Sequence, residues 1–186
     1  MSDERDRVAE LIRRLCAERE LAVDPTGRWS YAVVLPGEHK LKTVCNLIVG
    51  EHSVRAEAFV MRQPDERREE VWAWLLRRNA RLPGVAFAID AAGDIYLTGR
   101  LSLAAVTPDE LDRLLGAVLT TADDSFDALL ELGFADAIRR EWRWRRERGE
   151  SVANLRAFAH LAEPDGPGRA AGPGPGDPPD DRPAGT

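Results

Sequence analysis

The apolar positions of this chain switch between two repeats, and the switches mark out its elements. Val8, Leu11, Ile12, Leu15 and Cys16 recur at i, i+3, i+4, i+7 and i+8, which predicts a helix over about residues 3–20 with acids and arginines on its other face. Asp24-Pro25-Thr26-Gly27 is turn chemistry and ends that unit. Residues 29–35 then form a β-rich run closed by Pro36-Gly37. In 40–49, Leu41, Thr43, Cys45, Leu47 and Val49 share one face, and Lys42, Val44, Asn46 and Ile48 the other. After Gly50-Glu51-His52, residues 53–61 put Val54, Ala56, Ala58 and Val60 opposite Arg55, Glu57, Phe59 and Met61. Period-two runs joined by short turns are antiparallel neighbours.

A second helix is expected after Gln63, with Pro64 at its first position and Asp65 and Glu66 favouring the positive helix end. It would run to about residue 81 and stop before Pro83-Gly84. Residues 85–89 and 95–103 read as a hairpin across Asp90-Ala91-Ala92-Gly93-Asp94. Thr107-Pro108-Asp109-Glu110 is a capping box, and Leu111, Leu114, Leu115, Val118 and Leu119 stripe the helix it opens. Ser125 is placed to cap a further helix, whose stripe from Phe126 to Trp142 keeps one phase across Gly133, so it reads as a single helix with room to bend at the glycine. Gly149 would stop it, and 151–160 suggests a last short helix. The order is α-βββ-α-ββ-α-α, without parallel βαβ alternation. That predicts an α+β fold: an antiparallel five-stranded sheet with helices packed on one face.

Composition changes abruptly at residue 163. Seven prolines and six glycines fill the last 24 positions, with no large apolar residue. Such a segment buries too little apolar surface to offset ordering entropy of about 1–2 kcal/mol per residue. The expected organisation is one domain over 1–162 and a disordered tail over 163–186. The tail's five acids and two arginines account for half of the net charge of −6, so the body has no general attraction for nucleic acid or anionic membrane. With no apolar signal core and no bilayer-length apolar run, the reading is a cytoplasmic protein.

Candidate chemistry is sparse. Cys16 and Cys45 fall on different elements without CxxC spacing, so no disulfide framework is expected. Cys45 reads as a small core residue. His39, His52 and His160 lack ligand spacing, Asp90 and Asp94 belong to a hairpin turn rather than a calcium loop, and no carboxylate pair stands in a motif for acid–base work. No catalytic residue, metal or cofactor is assigned. The basic run 139–148 has six arginines around Trp142 and Trp144. Such a patch can hold phosphates and stack bases, but arginines also suit a helix C-terminus.

The second helix is the informative element. At about 100° per residue with Val71 at zero, Leu75 lies near 40°, Trp72 near 100°, Leu76 near 140° and Trp74 near 300°. The apolar arc of roughly 200° exceeds the ~100° stripe that one sheet needs. Trp74 on one flank, and Trp72 with Leu76 on the other, want a second surface. The candidates are the long C-terminal helix, a homodimer partner or a bound protein segment. Arg78 and Asn79 also lie in the arc. They are expected to bond groups around the hairpin and fix the helix end, or alternatively to take a peptide carboxylate or backbone.

The stretches LPGEHKLKTVCNLIVGEHSVRAEAFVMRQPDE, VWAWLLRRNARLPGVAFAIDAAGDIYLTGRLSLAAVTPDELDRLLGAVL and LLELGFADAIRREWRWRRERGESVANLRAFAHL together resemble the YbjN-domain proteins of actinobacteria, over nearly all of residues 5–162. WLLRRNARL, IYLTGRL and the closing run are fairly specific to that group. The resemblance implies a fold like that of type III secretion chaperones, a homodimer, and a non-enzymatic role in chaperone-like binding of protein segments or in regulating stress responses. It supplies no catalytic or binding motif to transfer. The expectation is a protein-binding module using the sheet and the second helix, with Trp72, Trp74, Leu76, Arg78 and Asn79 as its contact residues. A small-molecule or nucleotide-binding regulator, using the cleft between hairpin and helix, is the alternative. Nucleic-acid binding through 139–148 is a more remote one.

Overall fold

The computed structural model describes residues 2–162; the expected tail, 163–186, lies outside them. The elements are α1 (Ser2–Glu18), β1 (Val23–Gly27), β2 (Ser30–Pro36), β3 (Lys42–Val49), β4 (Ser53–Met61), α2 (Arg68–Asn79), β5 (Val85–Ile89), β6 (Ile95–Ser102) and α3 (Pro108–Arg148). Short 3-10 segments follow β6 (Leu103–Ala105) and α3 (Ala153–Leu161). All pairings are antiparallel, in the order β1-β2-β3-β4-β6-β5. The fold is α+β, with helices against one sheet face.

The period-two reading of the strands holds except at Met61, expected on the outer face but buried where the β4–β6 register shifts between Phe59 and Met61. Tyr31, Val33 and Leu35, then Thr43, Cys45, Leu47 and Val49, then Val54, Ala56, Ala58 and Val60, and Ile95 and Leu97 are all buried on the helix side. Val8, Ile12, Leu15 and Cys16 of α1 and Leu111, Leu114, Leu115 and Val118 of α3 complete the core. Each such aliphatic side chain contributes about 1.5–3 kcal/mol relative to exposure. Leu41, expected on the core face, lies before the strand begins and is 85% exposed.

The sheet has six strands, not five. The missed strand is β1, formed where Asp24-Pro25-Thr26-Gly27 reads as a turn. It pairs Val23 with Val33, Asp24 with Ala32 and Pro25 with Tyr31, then shifts register before Gly27. An edge strand needs ladder bonds on one side only, so it tolerates proline and a polar, exposed sequence.

Helix α2 begins at Arg68 rather than just after Gln63. Residues 62–67 are instead committed to α3. The backbone N–H groups of Asp65 and Glu66 donate to the Gly133 carbonyl at 3.1 and 3.2 Å, and the Asp136 N–H donates to Glu66 Oε1 at 2.8 Å. These contacts explain the bend in α3, where Phe134 leaves helical geometry (φ −143°, ψ 19°). The bend releases a carbonyl and an amide, and the 62–67 segment satisfies both. Pro64 packs against Gly133 closely enough that a Cβ there would stand 2.9 Å from the proline Cβ. The sequence places the bend at Gly133; the structure puts it one residue later.

No helix starts at Ser125. α3 is continuous from Pro108, capped by Thr107 Oγ1 accepting from the Glu110 N–H at 3.2 Å. Ser125 is buried inside it, so the expected final pair of helices is one. Gly149 ends it at φ 68°, with its N–H on the Arg145 and Arg146 carbonyls. The last expected helix, 151–160, is 3-10 and irregular at Phe158.

Candidate protein-binding surfaces

The α2–β5 contact is the first candidate. The Trp74 ring lies 6.1 Å from the Phe87 ring, tilted by 59°, and the Arg78 guanidinium stands 5.9 Å from the Trp74 centroid. Asn79 donates from Nδ2 to the Phe87 carbonyl at 3.0 Å and accepts the Phe87 N–H on Oδ1 at 2.7 Å. One amide side chain thus mimics a strand neighbour for β5 and ties the end of α2 to the sheet edge. Trp72 and Trp74 are half-buried and pack against the core. Trp72 Nε1 and Arg78 Nε are buried without a hydrogen-bond partner among the described residues. Leu76 is 71% exposed. The structure therefore brings Trp74, Arg78 and Asn79 together around Phe87, with Leu76 pointing away from the domain.

The sheet face opposite the helices is the second. Val34 pairs with Val44 across β2 and β3, and Phe59 with Tyr96 across β4 and β6. The last two rings meet edge-on at 5.5 Å. Val44 and Phe59 are 38% and 43% exposed. These two apolar pairs are flanked by Asn46 and by Arg55 paired to Glu57 at 3.0 Å.

A third feature was not legible in the sequence. The β3–β4 ladder stops at the Cys45/Ala58 pair, although both strands continue. The ladder ends next to the β2–β3 turn and to the register shift between Phe59 and Met61. Asp123, mid-α3, accepts the N–H groups of Glu38, His39 and Lys40 at 3.1, 3.0 and 2.8 Å, and His39 Nδ1 meets Asp127 Oδ2 at 2.7 Å. These bonds hold the turn on α3. A Cβ at Gly37 would overlap the Asp123 carboxylate and the Lys40 carbonyl, so only glycine fits. Burial opposes ionisation of Asp123, but the three N–H bonds outweigh it and hold its carboxyl below the usual range. His39 is shifted up, chiefly by its bond to Asp127.

Beside that turn a slot of about 390 Å³ opens, lined by Phe59, Val60, Met61, Phe126, Leu130 and Phe134, with Lys40 and Arg62 at its rim. Lys40 Nζ donates to the Phe59 carbonyl at 2.5 Å and lies 5.6 and 5.9 Å from the Phe59 and Phe126 rings. Desolvation moves its pKa down. Arg62 covers Phe134 at 4.5 Å and forks onto Asp65 at 2.6 and 2.8 Å.

The remaining sequence candidates are placed as follows. Cys16 and Cys45 are buried free thiols; burial raises both, Cys45 to about 12. Asp90 Oδ1 accepts the Ala92 and Asp94 N–H groups within its turn. His160 Nε2 meets Glu131 Oε1 at 2.9 Å. In the basic run, Arg139 pairs with Asp136, Arg145 with Glu141, and Arg148 covers Trp144. Among the described residues no His, Cys, Asp and Glu side chains form a group that could hold a metal ion, and no helix is long and apolar enough to cross a membrane.

The architecture defines a class, an antiparallel α+β domain that presents an open sheet face. Within that class the chain belongs to the YbjN family, described as putative bacterial sensory transduction regulators, whose model matches residues 4–131. An uncharacterized protein of Mycobacterium tuberculosis is 63% identical over 129 residues, 69% of this chain and 70% of the relative. One of Mycobacterium leprae is 54% identical over 147 residues, covering 79% and 80%. Among solved structures, the ExsC–ExsE complex is similar at 16% identity and TM-score 0.49, covering 67% of this chain and 94% of the matched chain. The Yersinia pestis type III secretion chaperone SycH with a YscM2 fragment matches at 18% and 0.47, covering 61% and 95%. YbjN from E. coli, a putative transcription regulator, matches at 15% and 0.45, covering 61% and 87%.

Proposed function

We propose that this domain is a non-enzymatic protein-binding module, acting in regulation or in a chaperone-like manner, which takes a protein segment on its sheet and α2 surfaces. The observation that carries this reading is the two apolar pairs, Val34 with Val44 and Phe59 with Tyr96, on the sheet face without helices. Aromatic side chains give large contact area at low entropic cost and are enriched where proteins meet. The family description as a sensory transduction regulator agrees with a binding role. On the α2 side, Leu76 supplies the exposed contact. Trp72, Trp74, Arg78 and Asn79 shape the surface around it, and a second copy of the chain is the first candidate to cover it as a homodimer.

Photo-crosslinking residues placed at Val44 and Leu76 in the full chain test this. Specific crosslinks to a partner peptide, abolished by Phe59→Glu, are expected at Val44. A dimer in light scattering that Leu76→Glu converts to monomer is expected for α2. A monomer that forms no specific crosslink at either position would sink the reading.

A further inference from the structure

Lys40 is the unusual group at the slot between the β2–β3 turn, the end of β4 and α3. Its ammonium is half-buried beside two aromatic rings and bonds one backbone carbonyl, and among the described residues no carboxylate pairs with it. A partly desolvated cation without a counter-ion gains from an incoming carboxylate. The slot behind it is lined by Phe59, Phe126 and Phe134. Aromatic-lined grooves suit proline-rich segments, which have little conformational freedom to lose on binding.

The chain supplies such a segment. The 3-10 run Ala153–Leu161 returns along α3, and its His160 meets Glu131, the sequence neighbour of the slot residue Leu130. The described residues thus end against the helix that also carries the slot residues Phe126, Leu130 and Phe134. Beyond them stands Asp177-Pro178-Pro179-Asp180-Asp181, two prolines between acids. Fourteen residues separate Ala162 from Asp177, and that length spans up to about 50 Å, ample for the reach.

We propose that residues 177–181 occupy the slot between β4 and α3 of their own chain, the prolines against the phenylalanines and an aspartate against Lys40. This occupant sits where Phe59 reaches both the slot and the open face, so it would compete with a partner that contacts Phe59.

A nitroxide on Ala184→Cys in the full chain tests the proposal, since Cys16 and Cys45 are buried, with thiols held protonated, and resist labelling. Methyl NMR should show Met61 and Leu130 broadened at least threefold more than Val54 and Leu103, and the double variant D180N/D181N should reduce that excess by at least half. These tail substitutions change no described residue, so loss of the signal is not loss of the fold. Equal broadening at all four methyls overturns the proposal. So does broadening only when the nitroxide sits on a separate, isotopically unlabelled copy, which would assign the slot to a neighbour's segment. Either failure leaves the crosslinking result at Val44 and Leu76 to stand or fall alone.

Discussion

The two places where a helix meets the end of the sheet are built in opposite ways. At the α2–β5 contact, one neutral amide answers both the N–H and the C=O of Phe87, and Trp74 covers the ring beside it. At the α3–β3 contact, a carboxylate binds three consecutive amides of the β2–β3 turn, and the adjoining ladder ends early. The first device extends the sheet's hydrogen bonding and closes an edge. The second holds a turn on the helix and leaves a slot with a cation at its mouth. A helix can therefore finish a sheet or hold a turn beside it, depending on which backbone groups its polar side chain satisfies.

The sharpest way to break the contrast is Asp123→Ala. It removes three part-buried, charge-assisted bonds, at a cost of about 3 kcal/mol. Urea unfolding would measure the loss, and hydrogen exchange at Glu38, His39 and Lys40 should rise with it; unchanged exchange there would show that the turn is held by something else. Asn79→Ala removes two bonds, costing about 2 kcal/mol, with faster exchange confined to Phe87 and its β5 neighbours.

Acid should separate the two contacts without mutation. The folded-state pKa of Asp123 is depressed, so its contribution is present above the unfolded value near 3.9 and is lost as pH falls through the lower folded value. Asp123→Asn should flatten that part of the stability profile, whereas Asn79→Ala should leave its shape unchanged. His39 runs the other way. Its folded pKa is raised, so its contribution is complete below about 6.5 and fades as pH climbs through the folded value. His39→Gln should abolish that alkaline decline, which is small because the pair is exposed. The smallest effect belongs to Leu76→Ala, expected within about 0.5 kcal/mol because the side chain is already exposed; a larger loss of stability in dilute monomer would mean that Leu76 belongs to the core.

The α2–β5 contact was readable in outline. The helical phase places Trp74 and Asn79 in the apolar arc, and Asn79 bonds the hairpin as that phase suggests. The slot was not readable, because no local pattern marks Asp123 until the turn at 37–40 is seen folded over it. The same holds for β1, whose proline hides an edge strand, and for Pro64, which looks like a helix start but packs on Gly133.

By itself the sequence determined the strands, the helical stripes, the hairpin and the family. Each of these rests on a period of two or 3.6, or on a local turn residue, and such signals act between neighbours along the chain. Only the tertiary structure decided where α2 begins, that α3 bends at Phe134, and that the β2–β3 turn with Lys40 is held on α3. Those outcomes depend on single polar groups that meet across many tens of residues, such as Asp123 with Lys40 and Glu66 with Asp136. No local pattern encodes which of several unsatisfied backbone groups a distant carboxylate will reach.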